Sequence, residues 1–519
     1  MPHNPLTGLL KNVFATLVKE DAALTALMKK RQESRRKFLR QTAIAAAGMA
    51  FVPSFLRAAN FDNKKNIVII GGGMAGLNAA YQLKKRGLSS TVYEASNRIG
   101  GRMFTMKNYF GKNITTDIGG EFVDTTHTDI LQLLQEFDLD HYDLRTETID
   151  HKTFYFEGKN YTKDDLAKAI QPYAPQIAKD MVALPGEINY KNAASFEQLD
   201  KQSITEYITA LGIAGWLYNF LNVLLTREFG MEASEQSAIN LLIMFDAPAV
   251  SEKEYEIFGD AHEVFKIKGG SQHLTDKLYQ HIKNNVVLKH PLIAIKQHAT
   301  DGYELSFKNN EKAITVKAGY IILALPFTIL RKLKLDIDMP AEKRKCIDEL
   351  GYGNSCKFIM GFSDKPWRKK NKQGYTFTDE YFGCGWDSSQ LQSSAQGSFT
   401  VFGGGKFGDE LFETKQQQSV QSFIPSLDKI YPGSATAYRN KNIKFCWAKQ
   451  PFTKAGYSAF KKGQYSTLAG WEATPVGNIY FAGEHTSSGF QGYMNGAAET
   501  GRVAAEQIAA NILTNKSKK

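Results

Sequence analysis

The hydrophobic pattern of the chain is clearest near residue 70, where two different periods follow one another. Residues 67–70, Ile-Val-Ile-Ile, form a continuous apolar run, which predicts a buried strand. From Leu77 to Leu83 the apolar side chains recur at helical spacing, and residues 91–93 predict a second strand. The order strand, helix, strand predicts a β-α-β unit and therefore a fold of the α/β class.

The same periods organise the rest of the chain. Apolar side chains between Ile130 and Phe137 predict a helix, and residues 150–255 are predicted to be mostly helical. Residues 303–307 predict a strand. The largely apolar run 320–325, which a proline ends, is typical of a strand buried on both faces.

Length and charge narrow the class of protein. At 519 residues the chain is too long for one small core, so two domains are expected. The formal net charge is +11, but ten Lys and Arg residues stand against three acids before Phe61. The remainder is only mildly basic, so we expect no role in binding nucleic acid.

A glycine motif follows the first strand directly. Gly71, Gly73 and Gly76 stand in the G-x-G-x-x-G register, and Glu94 ends the second strand. Gly71 allows the tight turn, Gly73 lets the backbone approach a pyrophosphate, and Gly76 lets helix and strand pack closely. The start of the helix offers N–H groups to phosphates, and the acid can accept ribose hydroxyls. The sequence therefore predicts a dinucleotide site; a glycine-rich turn without a ligand is the alternative.

The residues after Glu94 form a second loop that can approach phosphate. Arg98 and Arg102 flank Gly100-Gly101, and arginine suits phosphate because its charge is permanent and its donors form a fork. This stretch resembles the FAD-binding signature of the flavin amine oxidase superfamily. The resemblance implies FAD as the cofactor.

The resemblance extends from Asn66 to about Ile512 and implies an architecture. It implies a Rossmann-type FAD-binding domain with a three-layer ββα arrangement. This domain is interleaved with an α+β substrate-binding domain. The predicted ranges are 61–145, 262–346 and 450–515 for the FAD-binding domain, 146–261 and 347–449 for the substrate-binding domain, and 1–60 for a leader.

The resemblance also assigns four catalytic residues. Lys357 interrupts an otherwise apolar strand pattern, where a lysine is costly unless it is paired. The stretch around it resembles the monoamine oxidase segment in which a lysine holds a water near the flavin; a lysine that reaches the surface is the alternative. Tyr457 and Tyr493 match the two walls of the family's aromatic cage, and Trp447 matches an aromatic residue beneath the flavin.

The last motif, residues 479–501, resembles the C-terminal flavin-binding signature of the superfamily. Glu484 would accept hydrogen bonds from the ribitol or a phosphate-bound water, and a helix beginning at Met494 would direct its dipole at the flavin. Gly456 stands where covalent members carry the cysteine that bears the flavin, which implies FAD bound non-covalently. The other implied cofactor contacts are Met74, Ala75, Ala95, Gly101, Gly119, Gly120, Val287, Gly483, Gly492 and Asn495.

Glu121 has two interpretations. It could attract a second, cationic amine of a polyamine, or it could pair with one of the two loop arginines. The resemblance implies FAD-dependent oxidative deamination, in which an amine and O2 yield a carbonyl compound, ammonia and hydrogen peroxide. The alternatives are an L-amino-acid oxidase and a desaturase-like or porphyrinogen-oxidase-like flavoenzyme. The size of the substrate stays open, as does assembly into a homodimer.

The leader explains the excess of positive charge. Arg35-Arg36 precede an Ala-rich run that is too short and weakly apolar for a stable membrane span, and together they resemble a twin-arginine (Tat) export signal. This implies the Tat machinery as a partner, with a periplasmic enzyme or one retained at the membrane by an uncleaved signal. A basic amphipathic helix is the alternative. The chain could start at Met1 or Met28.

Cysteine and metal chemistry are not expected. The four cysteines, Cys346, Cys356, Cys384 and Cys446, contain no C-x-x-C pair and show no zinc pattern. We therefore predict no structural disulfide and no metal site.

Overall fold

The structure, a computed structural model, describes residues 5–31, 33, 66–147, 149–245, 264–298, 302–309 and 312–517. The twin arginines of the predicted export signal and the Ala-rich run after them lie outside these described residues.

A parallel sheet of five strands forms the centre of the predicted cofactor domain. Its strands, in spatial order, are Val286–Val287, Ser90–Tyr93, Ile67–Ile70, Tyr320–Leu323 and Ile479–Phe481. Ile67–Ile70 is buried along its whole length, as its apolar sequence requires. The predicted α/β class and the β-α-β unit are confirmed.

Helices pack on this sheet where the sequence predicts them. The helix Met74–Lys85 follows the first strand. The helix Met494–Ser517 packs against Met74–Lys85, and Asn78 Nδ2 donates to the carbonyl of Ala498 at 2.7 Å. The two helices can approach closely because Gly501 has no side chain. A Cβ at this position would stand 2.2 Å from the Ala75 carbonyl oxygen. The other helices in these ranges are Thr128–Glu136, Gln272–Ile282, Phe327–Leu330, Ala341–Glu349 and Gln464–Thr467.

Three smaller sheets complete this part of the fold. The first has four strands, in the order Lys312–Ala318, Gly302–Asn309, Leu292–His298 and Lys334–Asp336. The second has three strands, in the order Phe122–Val123, Phe265–Ile267 and His141–Asp143. The third pairs Thr105–Lys107 with Thr115–Asp117.

A mixed sheet of seven strands forms the second part. Its spatial order is Tyr438–Cys446, Cys356–Phe362, Gly397–Gly403, Cys384–Asp387, Lys372–Thr378, Asp150–Phe156 and Lys159–Tyr161. All of these strands lie in the ranges predicted for the substrate domain. The helices in the same ranges are Lys163–Ile170, Ala174–Ala183, Glu197–Asp200, Ile204–Ala210, Gly215–Phe229, Ala238–Phe245, Pro366–Lys369, Gly405–Glu413, Gln416–Ile430 and Ser434–Ala437.

The described residues of the stretch 150–255 are mostly helical, as predicted, but the stretch begins with two strands. Asp150–Phe156 and Lys159–Tyr161 form an antiparallel hairpin. Both turn residues, Glu157 at φ +52° and Gly158 at φ +77°, adopt the left-handed conformation that favours a tight hairpin turn. This turn was not predicted, because the helical periodicity of the later residues dominates the stretch.

The prediction of no structural disulfide is wrong. Cys356 and Cys446 are directly paired on neighbouring antiparallel strands and form a disulfide. The two cysteines are 90 residues apart in sequence. Only the register of the two strands brings them together, and their spacing carries no sign of it.

The first described segment packs against the substrate-domain helices. In the helix Pro5–Glu20 the side chain of Phe14 is buried and lies 5.2 Å from the Phe245 ring, between centroids. Arg31 is buried and donates to the carbonyls of Leu184 and Pro185. Residues 5–31 had been assigned to the leader. Among the helices of the described residues, none combines the length and apolar character that crossing a membrane requires.

Candidate active site

A cavity of about 630 Å³ lies between the two parts of the fold. It is lined by the glycine loop after the first strand, by the segment 118–122, by the substrate-domain sheet and by the C-terminal motif. All predicted cofactor and catalytic residues line it except Gly76, Val287 and Asn495. Segments separated by more than 400 residues in sequence therefore meet at one site.

The three exceptions have structural contacts instead. A Cβ at Gly76 would stand 1.9 Å from the Gly71 carbonyl oxygen, which confirms the close packing of helix and strand. The carbonyl of Val287 accepts from the Glu94 N–H at 2.9 Å. Asn495 Oδ1 accepts from the Ile130 N–H at 3.0 Å and so fixes the start of one helix to another.

The glycine loop has the geometry that its motif predicts. Gly71 has φ +108°, and a Cβ there would stand 2.5 Å from the Ala324 carbonyl oxygen. Gly73 precedes the helix Met74–Lys85 with no side-chain cap, which leaves the first N–H groups accessible to a ligand. Across from it, a Cβ at Gly101 would stand 3.1 Å from the Gly73 Cα. The two loops form a narrow cradle that only glycines allow.

Glu94 is held in place at the mouth of this cradle. Its Oε2 accepts from the Gly72 N–H at 2.7 Å and its Oε1 from the Ser96 N–H at 2.8 Å. Each carboxylate oxygen can accept more than one hydrogen bond, so the side chain is oriented while it keeps capacity for ribose hydroxyls.

Arg98 and Arg102 connect the second loop to the rest of the site. Arg98 donates to the Gly101 carbonyl at 2.6 Å and lies over the Phe104 ring. Arg102 Nη1 donates to Glu484 Oε1 at 2.8 Å and to the Gly456 carbonyl at 2.6 Å. The N-terminal and C-terminal motifs are therefore joined by a partly buried ion pair.

Glu484 is a carboxylate that stays charged although it is buried. Burial by itself would raise its pKa, but the charge of Arg102 and the hydrogen bond from Ser458 Oγ outweigh burial and hold the pKa below its ordinary value. The Gly492 N–H also donates to it at 2.9 Å. Glu484 thereby positions the turn before the helix Met494–Ser517.

Lys357 lies in a fully buried strand and is paired, so the surface alternative is wrong. Its Nζ donates to the carbonyls of Asp117 at 2.8 Å and Gly119 at 2.9 Å, and to Glu121 Oε2 at 2.9 Å. These three bonds use all the N–H donors of an ammonium group. A water bound at Lys357 would have to share or displace one of them.

Glu121 pairs with two lysines rather than with the loop arginines. Its Oε1 is 2.7 Å from Lys266 Nζ, and its Oε2 also accepts from the Trp386 indole N–H at 3.2 Å. Burial would raise the pKa of Glu121, but the charges of Lys266 and Lys357 outweigh it and hold the pKa low. In the structure Glu121 is thus part of an ion-paired cluster of one acid and two lysines, an arrangement that neither interpretation of Glu121 had included.

The three aromatic residues that the resemblance assigns to the catalytic site have defined contacts. The hydroxyl of Tyr457 donates to the backbone carbonyls of Arg227 and Glu228. Tyr493 packs edge to face on His127, with 4.8 Å between ring centroids. Trp447 donates to the Ile118 carbonyl at 3.2 Å. All three line the cavity, and the hydrogen bonds of Tyr457 and Trp447 run to Glu228 and Ile118, which line it as well.

The comparison with protein families gives one match that spans most of the chain. Residues 74–509 match the model of the flavin containing amine oxidoreductase family. The chain belongs to this family. It is therefore a flavin enzyme that oxidises amines, as the sequence predicted.

Curated proteins that are similar to this chain include amine oxidases of animals. The flavin-containing amine oxidase of Oncorhynchus mykiss is 25% identical over 465 residues, which cover 86% of each chain. Amine oxidase A of Sus scrofa is 25% identical over 500 residues, covering 89% of this chain and 88% of the relative.

Solved structures share the fold. A wild-type putrescine oxidase bound to putrescine has a TM-score of 0.73 and 21% identity, and covers 87% of this chain and 99% of its own. Cyclohexylamine oxidase from Brevibacterium oxydans IH-35A has a TM-score of 0.74 and 20% sequence identity. The match covers 86% of this chain and 99% of the cyclohexylamine oxidase chain.

Several cavity residues of this amine oxidoreductase were not predicted from the sequence. Tyr375 stacks on Trp386 with 5.6 Å between centroids, and Phe122 and Phe402 also pack against Trp386. Glu228, at the end of the helix Gly215–Phe229, adds a buried carboxylate. No motif surrounds these residues, because only the sheet order and the helix direction bring them to the cavity.

Metal chemistry finds no support in the described part of the chain. It contains no group of three or more His, Cys, Asp or Glu side chains placed to hold a metal ion.

Proposed function

We propose that this enzyme binds FAD non-covalently and uses O2 to oxidise an amine to a carbonyl compound, ammonia and hydrogen peroxide. One observation carries the proposal. Lys357, Tyr457 and Tyr493 come from three distant segments, and they line the same cavity as the dinucleotide loop around Gly73. A dinucleotide-binding protein without this chemistry has no need for that convergence.

The residues present fit FAD. The glycine cradle and the uncapped helix at Met74 suit the pyrophosphate, and Glu94 suits the ribose. FAD held by these residues would supply the acceptor for a hydride from the carbon that bears the amine, and it would supply the route by which the two electrons reach dioxygen. Water then hydrolyses the imine, so that amine, O2 and water give carbonyl compound, ammonia and peroxide.

Non-covalent binding is supported by the surroundings of Gly456. A Cβ there would stand 2.2 Å from Ser355 Oγ and 2.8 Å from the Ser355 backbone nitrogen. A cysteine at this position would therefore collide with Ser355, the residue before the strand Cys356–Phe362. We expect acid precipitation of the purified protein to release all of its FAD into the supernatant; yellow colour that stays with the pellet would contradict this.

The protein's own contribution is positioning and electrostatics. Tyr457 and Tyr493 would orient the amine through their electron-rich faces in a cavity that excludes water. Lys357 would supply a fixed positive charge and hold a water through a shared donor. The alternative of an L-amino-acid oxidase is less well supported, because Arg98, Arg102 and Lys357, the cations among the described cavity residues, are each bound to protein acceptors.

Export through the Tat pathway to the periplasm is part of the proposal. It is supported by Arg35-Arg36 and the Ala-rich run that follows. The burial of Phe14 and Arg31 favours a signal that is retained rather than cleaved, because cleavage would remove both side chains from the fold. Fractionation of the native host would test this by locating the enzyme and its intact N-terminus.

The proposed reaction is tested by oxygen uptake. Purified enzyme mixed with a primary amine should consume O2, and added catalase should return half of the oxygen consumed. Ammonia should form in equal amount to the peroxide. Oxygen uptake that catalase does not change would contradict peroxide as the product.

A further inference from the structure

A disulfide closes the end of the strand pair that carries Lys357. Cys356 and Cys446 are direct partners on antiparallel strands, and the Trp447 N–H donates to the Ser355 carbonyl at 2.9 Å. That hydrogen bond joins the residue before Cys356 to the residue after Cys446, so the cysteines stand at a position of the ladder without hydrogen bonds of its own. Side chains approach most closely at such positions, which suits a covalent bond between them.

The disulfide lies on the face of the sheet that turns away from the cavity. Lys357 and Phe445, the strand residues next to the two cysteines, line the cavity, and successive side chains of a strand point to opposite faces. The cysteines are buried in an apolar cluster that includes Phe358 and Phe423. None of the described residues of that cluster lines the cavity. The bond therefore acts on the site through the backbone that carries Lys357.

The strand that ends at Cys446 leads into a loop that lines the cavity. We call this loop, residues 447–457, the cofactor loop. It begins at Trp447 and ends at Tyr457, and both side chains line the cavity. The structure describes all of its residues, and regular structure among them is limited to the short 3-10 helix Trp447–Lys449. The position of the loop therefore depends on how its two ends are held.

The cofactor loop also contacts the second phosphate loop. Arg102 Nη1 donates to the Gly456 carbonyl at 2.6 Å, and the Arg98 guanidinium lies 6.0 Å from the centroid of the Trp447 ring. Phe452, at the middle of the cofactor loop, is exposed and lines the cavity as well. A displaced cofactor loop would open the cavity and remove contacts from both arginines.

Both ends of the cofactor loop are held by residues 353–356. At the far end, the Gly456 N–H donates to the Gly353 carbonyl at 2.8 Å, and the Gly353 N–H donates to the Tyr457 carbonyl at 2.9 Å. At the near end, the disulfide holds the last residue of the strand Tyr438–Cys446. This is the edge strand of the seven-stranded sheet, and among the described strands it pairs with Cys356–Phe362 alone. The near end would otherwise depend on a single ladder.

We propose that the Cys356–Cys446 disulfide is a positioning element that keeps the cofactor loop closed on the cavity, so that the retention of FAD depends on it. The inference rests on the proposed non-covalent binding of FAD. With the bond intact, both ends of the loop are fixed in advance, and little ordering is left for the cofactor to impose. With the bond broken, the loop opens locally while the rest of the enzyme stays folded.

The test measures FAD release and unfolding during heating of the same sample. Flavin fluorescence reports the release of FAD, and far-ultraviolet circular dichroism reports unfolding. The two temperatures should coincide in the wild-type enzyme. In the double variant Cys356→Ala, Cys446→Ala, release should precede unfolding, and the Kd for FAD should rise about 10-fold. The control Cys346→Ala removes a buried cysteine outside the disulfide and should preserve the coincidence and the Kd.

The reduced wild-type enzyme gives the same comparison without a change of sequence. Dithiothreitol throughout purification keeps the cysteines as thiols, because it reduces a disulfide to two thiols and closes to its own cyclic disulfide. Titration after denaturation should find four thiols in this sample and two in enzyme purified without reductant, since the bond uses two of the four cysteines. The reduced enzyme should release FAD before it unfolds. This comparison decides the question even if the double variant does not fold.

The outcomes separate the inference from the proposed function. A disulfide that only stabilises the fold would lower both temperatures equally. Release that coincides with unfolding in the double variant or in the reduced enzyme therefore overturns the role in FAD retention. Four thiols in enzyme purified without reductant also overturn it. Flavin that stays with the acid pellet of the wild-type enzyme contradicts non-covalent binding itself, and the inference fails with it.

Discussion

At the scale of single residues, Glu121 lies between Lys266 and Lys357 and forms an ion pair with each of them. Lys357 was found because a charge in an apolar strand requires an explanation. Its bonds to Asp117, Gly119 and Glu121 depend on a segment some 240 residues away, which no local pattern reveals. The pairing of Glu121 with Lys266 was missed for the same reason.

The first prediction concerns Lys357. In Lys357→Met the fixed charge beside the reacting centre is lost, so turnover with an amine should fall about 100-fold. Stopped-flow measurement of flavin reduction and reoxidation would show which step slows. In the control Lys266→Met, Glu121 also loses one counter-ion but Lys357 remains, so the effect on turnover should be much smaller.

Two results would contradict this role. Unchanged turnover in Lys357→Met would show that the lysine does not act on the reaction. An equal loss in both lysine variants would show that each lysine serves only to neutralise Glu121.

A second prediction concerns the pH dependence of stability. Burial lowers the pKa of His485 to about 3, although the charge of Glu484 opposes this. The pKa in the folded state lies below the unfolded value of about 6.5. The contribution of His485 is therefore fully present above pH 6.5 and is lost as the pH falls towards 3, by about 1.4 kcal/mol for each pH unit.

This dependence is measured by chemical unfolding at several pH values. His485→Asn should flatten the fall in the free energy of unfolding below pH 6.5, whereas His141→Asn, at an exposed position, should leave the slope unchanged. Parallel curves for all three proteins would contradict the assignment.

At the scale of elements, strands and helices with strong periods were predicted well, and pairings between distant elements were not. The β-α-β unit and the helix at Thr128–Glu136 follow from local patterns. The hairpin at Asp150–Phe156 and the Cys356–Cys446 disulfide depend on which strands become neighbours. This choice is made by the whole sheet rather than by the residues concerned.

The third prediction tests the N-terminal helix Pro5–Glu20. Phe14 is 1% exposed, so Phe14→Asp would bury a charge and lose the contact with Phe245. We expect the free energy of unfolding to fall by at least about 3 kcal/mol. Thr16→Asp, at an exposed position of the same helix, should change it by less than about 0.5 kcal/mol. Equal thermal unfolding curves for both variants and the wild type would show that the helix does not pack on the enzyme.

At the scale of the whole molecule, the site lies between two interleaved parts of the chain. The order of three motifs in the sequence predicted which segments meet, because the family resemblance implies that each motif binds a different portion of one cofactor. The shape of the substrate region could not be predicted. It depends on where the seven-stranded sheet places Tyr375 and Trp386 and on where one helix ends at Glu228.

The central claim is that an amine reduces the flavin in this cavity. The most direct test is to mix the purified yellow protein with a panel of amines in the absence of oxygen and to follow the visible flavin absorbance. We expect at least one mono- or diamine to bleach the flavin, and deuterium on the carbon that bears the amine to slow the bleaching. A flavin that no amine bleaches, or one that only L-amino acids bleach, would contradict the account.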